Sequence, residues 1–173
     1  MIPFLKQDST LEKLESLCEW DSTIAYCKRV FNEDGNCNNL VRLMSQAWFL
    51  CAYIEQLPPN NGHGENIISA DENFIEWTNI LSNTLRLGTR KYENELSFLC
   101  ISGHMMITLP EFFVSRSLDY NSVYMTGQKY LMRAQQIHAR VGKIFSNLGN
   151  YSDTALLHEL FPGNSQVEIY FKG

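Results

Sequence analysis

LSFLCISGHMMITLPEFFV, residues Leu96 to Val114, is the longest run poor in charge in this chain, with Glu111 its only formal charge and Ser97, Ser102, His104 and Thr108 its polar interruptions. A membrane-spanning helix needs roughly 20 mainly apolar residues, and here Pro110 and Glu111 fall near one end. The run therefore reads as a buried central helix, from about Arg90 to Leu109, apolar on most sides and enclosed by its neighbours.

Working outward, the flanking segments carry the 3.6-residue periodicity of helices packed by one face. Upstream, Asp71-Glu72 opens a helix with Phe74, Ile75, Thr78, Leu81 and Leu85 inward, its acids set against the positive end of the dipole, and Gly88 ends or bends it. Before it, Leu40 to Leu57 forms a helix that stops at Pro58-Pro59, with Leu40, Leu43, Met44, Ala47, Cys51 and Ile54 inward and Trp48 at the margin. The chain starts helical at Ser9-Thr10-Leu11-Glu12, an S-x-x-E capping box. Leu11, Leu14, Leu17 and Cys18 lie on its apolar side and Asp8, Glu12, Glu15 and Glu19 on the other; a break near Asp21-Ser22 is favoured, and Asn32 to Asn39 is a turn. Downstream, Asn121 or Ser122 caps a long helix to Leu148 whose inward line is Val123, Gly127, Leu131, Ala134, Ile137, Val141, Phe145 and Leu148. Asp153 caps a short helix through Phe161, and Gln166 to Phe171 (QVEIYF) reads as an extended tail.

Consecutive helices on mostly short connections imply an all-α fold, an antiparallel helical bundle or short α-solenoid of about six helices, in a single domain spanning residues 1–173. The segments around Trp48, Gly103 and Gly127 each resemble one side of a tetratricopeptide helix, but their spacings disagree and no regular array is expected.

An apolar fraction of 45% with charged residues at 19% describes a chain that folds. Cys18, Cys27, Cys37, Cys51 and Cys100 are odd in number and contain no CxxC pair, which reads as free thiols of a reducing cytoplasm. Met1-Ile2-Pro3-Phe4 leads into a charged amphipathic segment without the plan of a secretory leader, so a cytoplasmic protein is expected. The net charge of −5 disfavours nucleic acid and anionic membranes and favours a basic partner.

Patterns that carry chemistry are missing. His158-Glu159 has no second histidine four residues on, and Glu-x-x-His, His-Asp, G-x-S-x-G and the phosphate-cradling glycine motifs do not occur. No metal, no cofactor and no enzymatic activity are expected. His104 and His138 read as core or boundary histidines, and Gly62-His63-Gly64-Glu65 as a polar loop within Pro58 to Ala70. A helical enzyme would need His63 or His104 to converge with acids such as Glu65 or Glu93.

Two surfaces remain as candidates. Lys129, Arg133, Arg140 and Lys143 have helical offsets that place them on one basic stripe, able to bind an acidic partner or phosphates, though a solvated face is favoured. Phe49 and Tyr53 lie four apart on the side carrying Arg42, Ser45, Gln46 and Gln56, either exposed as partner anchors or covered by another helix. With the acids Glu12, Glu15, Glu19, Asp71, Glu72 and Glu76, these aromatics make up the expected partner-binding set.

In size, acidity, helical content and absence of motifs the chain resembles the small cytoplasmic immunity proteins of bacterial contact-dependent and other polymorphic toxin systems. That resemblance implies a stoichiometric inhibitor that covers the active site of a basic toxin domain, with complementary charge speeding association and aromatic anchors holding the complex. The rival reading is a tetratricopeptide-like adaptor that binds a peptide in a groove.

Overall fold

A computed structural model describes residues 3–53, 70–115, 118–146 and 153–172, with the side chains of residues 70–72 outside that description. These residues form helices α1 (Ser9–Ser16), α2 (Trp20–Glu33), α3 (Cys37–Tyr53), α4 (Ala70–Lys91), α5 (Leu96–Thr108), a 3-10 turn (Pro110–Phe113), α6 (Tyr120–Ile137), α7 (Ala139–Ser146), α8 (Thr154–Leu160) and α9 (Gln166–Lys172). The fold is all-α, and no strand occurs among the described residues; Ser115 and Leu118 make one isolated bridge.

The charge-poor run behaves as its composition requires. Every residue of α5 from Ser97 to Met106 is buried, and the helix packs against α3, α6 and α7. It begins later than Arg90, because Tyr92 closes α4 by donating its backbone N–H to the Gly88 carbonyl (2.7 Å), and a turn to Glu95 precedes the next helix. Helix α3 is equally enclosed, buried without interruption from Leu40 to Cys51 among α2, α4, α5 and α9. Trp48, expected at the margin, is therefore one of the largest fully buried side chains.

Glycine serves close approach here more than helix termination. Helix α4 runs straight through Gly88, where an added Cβ would fall 2.1 Å from Cε2 of Phe98, itself buried on α5. Gly88→Ala should cost about 2 kcal/mol through this overlap. In a double-mutant cycle measured by urea unfolding, Phe98→Leu should recover at least about 1 kcal/mol of that loss, and strict additivity would show that the ring is not what Gly88 accommodates.

Four further stretches differ from the sequence reading. The cap of α1 is Asp8, whose Oδ1 accepts from Leu11 N (3.1 Å), because the Glu12 carboxylate is drawn away to another helix. The expected break does occur, but one turn earlier than Asp21-Ser22: α1 ends at Ser16, Cys18 takes a left-handed φ of 56°, and α2 begins at Trp20. Leu17 is thereby left exposed instead of inward. The long downstream helix starts from an Asp119 cap, whose Oδ1 accepts from Ser122 N (2.7 Å), and is broken at His138 into α6 and α7. His138 donates its N–H to Ala134 O (2.8 Å), closing α6, and accepts from Val141 N at Nδ1 (3.4 Å), opening α7. The break turns Ile137 outward, while the remaining described members of the expected line, Val123 through Phe145, are buried.

The fourth difference is the C-terminal segment, which is helical. Ser165 and Glu168 form an S-x-x-E capping box: Ser165 Oγ accepts from Glu168 N (3.3 Å), and Glu168 Oε2 accepts from Ser165 N (3.3 Å) and Ser165 Oγ (2.8 Å). Val167 and Phe171, four apart, form the buried face of α9.

Candidate functional site

Of the acids expected to face a partner, Glu12, Glu15 and Glu76 are engaged with the chain itself. On α1, Glu15 is buried, its Oε2 accepting from Gln166 N (2.7 Å) and its Oε1 from Gln46 Nε2 (2.7 Å). Glu12 accepts from Asn164 N (2.7 Å), so both acids satisfy backbone donors at the start of α9, where the helix dipole favours negative charge. Glu168, with 0% of its surface exposed, accepts from Gly163 N (3.0 Å) in addition to its bonds with Ser165. A Cβ at Gly163 would lie 2.4 Å from that carboxylate. On the same side Arg42 of α3 donates to the Lys6 carbonyl and lies 3.8 Å from Asp8, which also accepts from the Tyr26 hydroxyl. Glu19 is the half-buried N-cap position of α2.

These carboxylates clasp the two ends of the chain together. Phe4 N donates to Leu160 O (2.9 Å), and the Phe4 ring packs against Phe145 and Phe161. Burial, reinforced by the like charge of Glu168, pushes Glu15 up to about 7, while the bonds from Gln166 and Gln46 and the charge of Arg42 pull the other way.

The aromatics Phe49 and Tyr53 are covered, the alternative that another helix encloses them. Phe49 is only 7% exposed and Tyr53 half-buried, with ring contacts running from Phe49 to Tyr53 and from Tyr53 to Trp48 and Tyr170. His104 closes this cluster: Nε2 bonds the Tyr170 hydroxyl (2.9 Å) and approaches Thr108 Oγ1 (3.3 Å), and Trp48 and Phe171 flank the ring. Burial pulls His104 down to about 4, so it is a neutral packing residue. Glu93 lies exposed on the turn before α5 and is not among its partners; His63 and Glu65 lie outside the described residues.

The basic stripe is divided by the break at His138. Lys129 and Arg133 are exposed on α6, with Arg133 bonded to Asn94 (3.0 Å). Arg140 and Lys143 are exposed on α7, and Arg140 pairs with Asp153 (2.6 Å), the cap of α8. No group of three or more His, Cys, Asp or Glu among the described residues is arranged to hold a metal ion. Burial raises the thiols of Cys27, Cys51 and Cys100 away from reactivity.

What does face outward includes two apolar side chains of α4 that the sequence reading assigned to the core. Phe74 and Ile75, expected inward on α4, are exposed, Ile75 by 60%; the buried face of the helix is Trp77, Ile80, Leu81, Thr84 and Leu85. Phe74 meets Phe112 of the 3-10 turn edge to face (5.8 Å), and that turn also packs on α6. Val114, Leu118 and Tyr120 are also exposed, on either side of the pairing of Ser115 N with Leu118 O (2.9 Å). Glu111 of the 3-10 turn is exposed, whereas Glu76 pairs with Lys28 of α2 and Asp119 caps α6. The side chains of Asp71 and Glu72 lie outside the described residues.

The chain matches no family model, no curated protein and no solved structure. Its surface and packing alone carry the functional reading. No helix of the described residues is long and apolar enough to cross a membrane.

Proposed function

We propose that this chain is a protein-binding inhibitor of the immunity type, which neutralises a basic toxin domain by covering its active site. The observation that carries this reading is where the chain places its side chains. Buried ionisable groups are spent on its own helix ends, whereas large apolar side chains, Phe74, Ile75, Val114, Tyr120, Met125 and Met132 among them, stand in solvent. Exposed apolar residues that meet, as Phe74 does with Phe112, mark contact surfaces. The net charge of −5 supplies steering toward a basic protein.

We read the helices as one closed bundle rather than an α-solenoid. In a solenoid each unit contacts only its sequence neighbours. Here Phe4, Glu12 and Glu15 at one end of the chain bond Leu160, Asn164 and Gln166 near the other. A closed bundle offers convex faces, which suits the plugging of a cleft better than the cradling of an extended peptide.

The test is co-expression with the product of the gene adjacent to this chain's own. A stable complex and survival of cells that the adjacent product otherwise kills are expected. Absence of binding at about micromolar concentration, together with unprotected cells, would overturn the immunity reading.

A further inference from the structure

We infer that the seam between α4 and α6 is a second contact surface, on which Arg86, Arg90, Lys129 and Arg133 receive a carboxylate-rich helical segment of a partner protein. This goes beyond the inhibitor reading, because a basic toxin domain would be repelled here. The packing sets the four cations on one side of the molecule. Helices α4 and α6 run in the same direction: Phe74 near the start of α4 meets Phe112 just before α6, and Thr89 near the end of α4 shares a hydrogen bond with the Tyr130 hydroxyl (2.7 Å). At that level Gly88 and Leu131 both point to α5, since an added Cβ at Gly88 would fall 2.1 Å from Phe98 and one at Gly103 would fall 2.9 Å from Leu131. A helix turns about 100° per residue, so the positions two before and two after Gly88 and Leu131 lie nearly opposite α5. Those positions are Arg86 and Arg90 on α4 and Lys129 and Arg133 on α6, all four exposed. The Thr89–Tyr130 pair, with Phe98 against the Tyr130 ring (5.7 Å), bridges the two rows.

Charge selects the kind of partner. No aspartate or glutamate occurs in α6, nor in α4 beyond Glu76. None of the four cations pairs with a carboxylate of the described residues. Arg86 donates to Asn83 (3.4 Å), and Arg133 to Asn94 (3.0 Å) and Gln136 (3.3 Å), neutral amides that orient the guanidinium groups and leave their charge uncompensated. Lys91, beside Arg90, is turned to the Gly35 carbonyl (3.1 Å), and the exposed acids Glu93 and Glu95 follow only in the turn past the end of α4. Within each row the two cations stand four residues apart, about 6 Å along the axis. That is also the spacing of glutamates at i and i+4 on a partner helix, and arginine can hold a carboxylate through two N–H groups at once. Nucleic acid, a long polyanion, is opposed by the net charge of −5 on the chain as a whole.

The test is binding of three labelled probes to the intact protein, read by fluorescence anisotropy: an alanine-based helical peptide with glutamate at every fourth position, the same peptide with glutamine there, and a short single-stranded DNA oligonucleotide. The glutamate peptide should bind, with an affinity that falls as salt is added, and the other two should bind more weakly. Arg86→Glu combined with Lys129→Glu should weaken the glutamate peptide at least fivefold with the helical circular dichroism spectrum unchanged. Lys143→Glu, on α7 beyond the break at His138, should leave it as in the parent. Arg86→Gln combined with Lys129→Gln adds no acid, should weaken binding at least threefold, and decides the matter if the charge reversal misfolds. No binding of the glutamate peptide at about 100 μM, equal or tighter binding of either other probe, a folded reversal variant that stays within fivefold of the parent, or an equal loss in Lys143→Glu would overturn the assignment. Protection of cells is a separate readout, so failure here leaves the inhibitor reading standing, and failure of protection leaves the seam standing.

Discussion

Gly127→Val should lower the unfolding free energy by about 3 kcal/mol, and the midpoint of thermal unfolding by roughly 6–12 °C for a chain of this size. Gly127 on α6 faces Gly103 on α5, and an added Cβ at Gly127 would lie 2.9 Å from the Gly103 carbonyl oxygen and 3.0 Å from Cβ of Met106. Both atoms are fixed by the α5 backbone, so no rotamer change relieves the overlap and the helices must separate. Alanine at the same position gains about 1 kcal/mol of helix propensity over glycine, which offsets part of the overlap, so Gly127→Ala should cost only about 1 kcal/mol. Lys129→Ala, two residues along on the exposed side, should stay within about 0.5 kcal/mol of the parent. A valine variant as stable as the parent would mean that α5 and α6 do not meet at these glycines.

The second large effect is one of pH, and it is hidden in the parent protein by cancellation. Glu15 stands raised from 4.5 to about 7. The fold thus prefers it protonated, and the associated stability is fully present below pH 4.5 and lost as pH rises through 7. His104 is lowered from 6.5 to about 4, so the fold prefers it neutral; its contribution is present above pH 6.5 and lost as pH falls through 4. Each departure corresponds to about 3 kcal/mol. Between pH 4.5 and 6.5 the two slopes oppose, and in this window their sum should be nearly flat. His104→Gln removes one arm, so that variant should gain about 3 kcal/mol relative to the parent as pH is lowered from 7 to 4.5. Glu15→Gln removes the other and should lose a similar amount between pH 6.5 and 4. Urea unfolding of the three proteins at pH 7.5, 5.5 and 4.5 gives the comparison, with other carboxylates supplying a common background. Parallel curves for all three would show that neither group titrates differently in the fold.

Legibility in the sequence followed the range of the forces involved. The enclosure of α5, the Asp153 cap of α8 and the break between α1 and α2 were all readable, because each depends on neighbours within a turn or two or on a composition without charge. The capping box at Ser165 and Glu168 carries the same local signal, and it outweighs the extended reading of QVEIYF and sets the start of α9. Phe74 and Ile75 were misplaced because Asp71 to Leu85 holds two overlapping apolar lines, one through Phe74 and Ile75 and one through Trp77, Ile80 and Leu81. Periodicity cannot say which of them another helix covers.

The candidate site was less legible for the same reason. Glu12 and Glu15 have the spacing of a solvated acidic face, and nothing near them in sequence reveals that the start of α9, about 150 residues away, supplies the backbone donors they bind. Phe49 and Tyr53 stand on what an amphipathic helix would leave polar, yet α3 is surrounded.

By itself the sequence determined that the chain is helical and where most helices lie, and it identified α5 as interior, since periodicity, capping residues and apolar content act over a few residues. Only the tertiary structure decided which acids are interior, which aromatics are exposed and that the basic stripe is two separate pairs. Those outcomes turn on contacts between segments far apart in the chain, whose free energy depends on the order in space and not on the order in sequence.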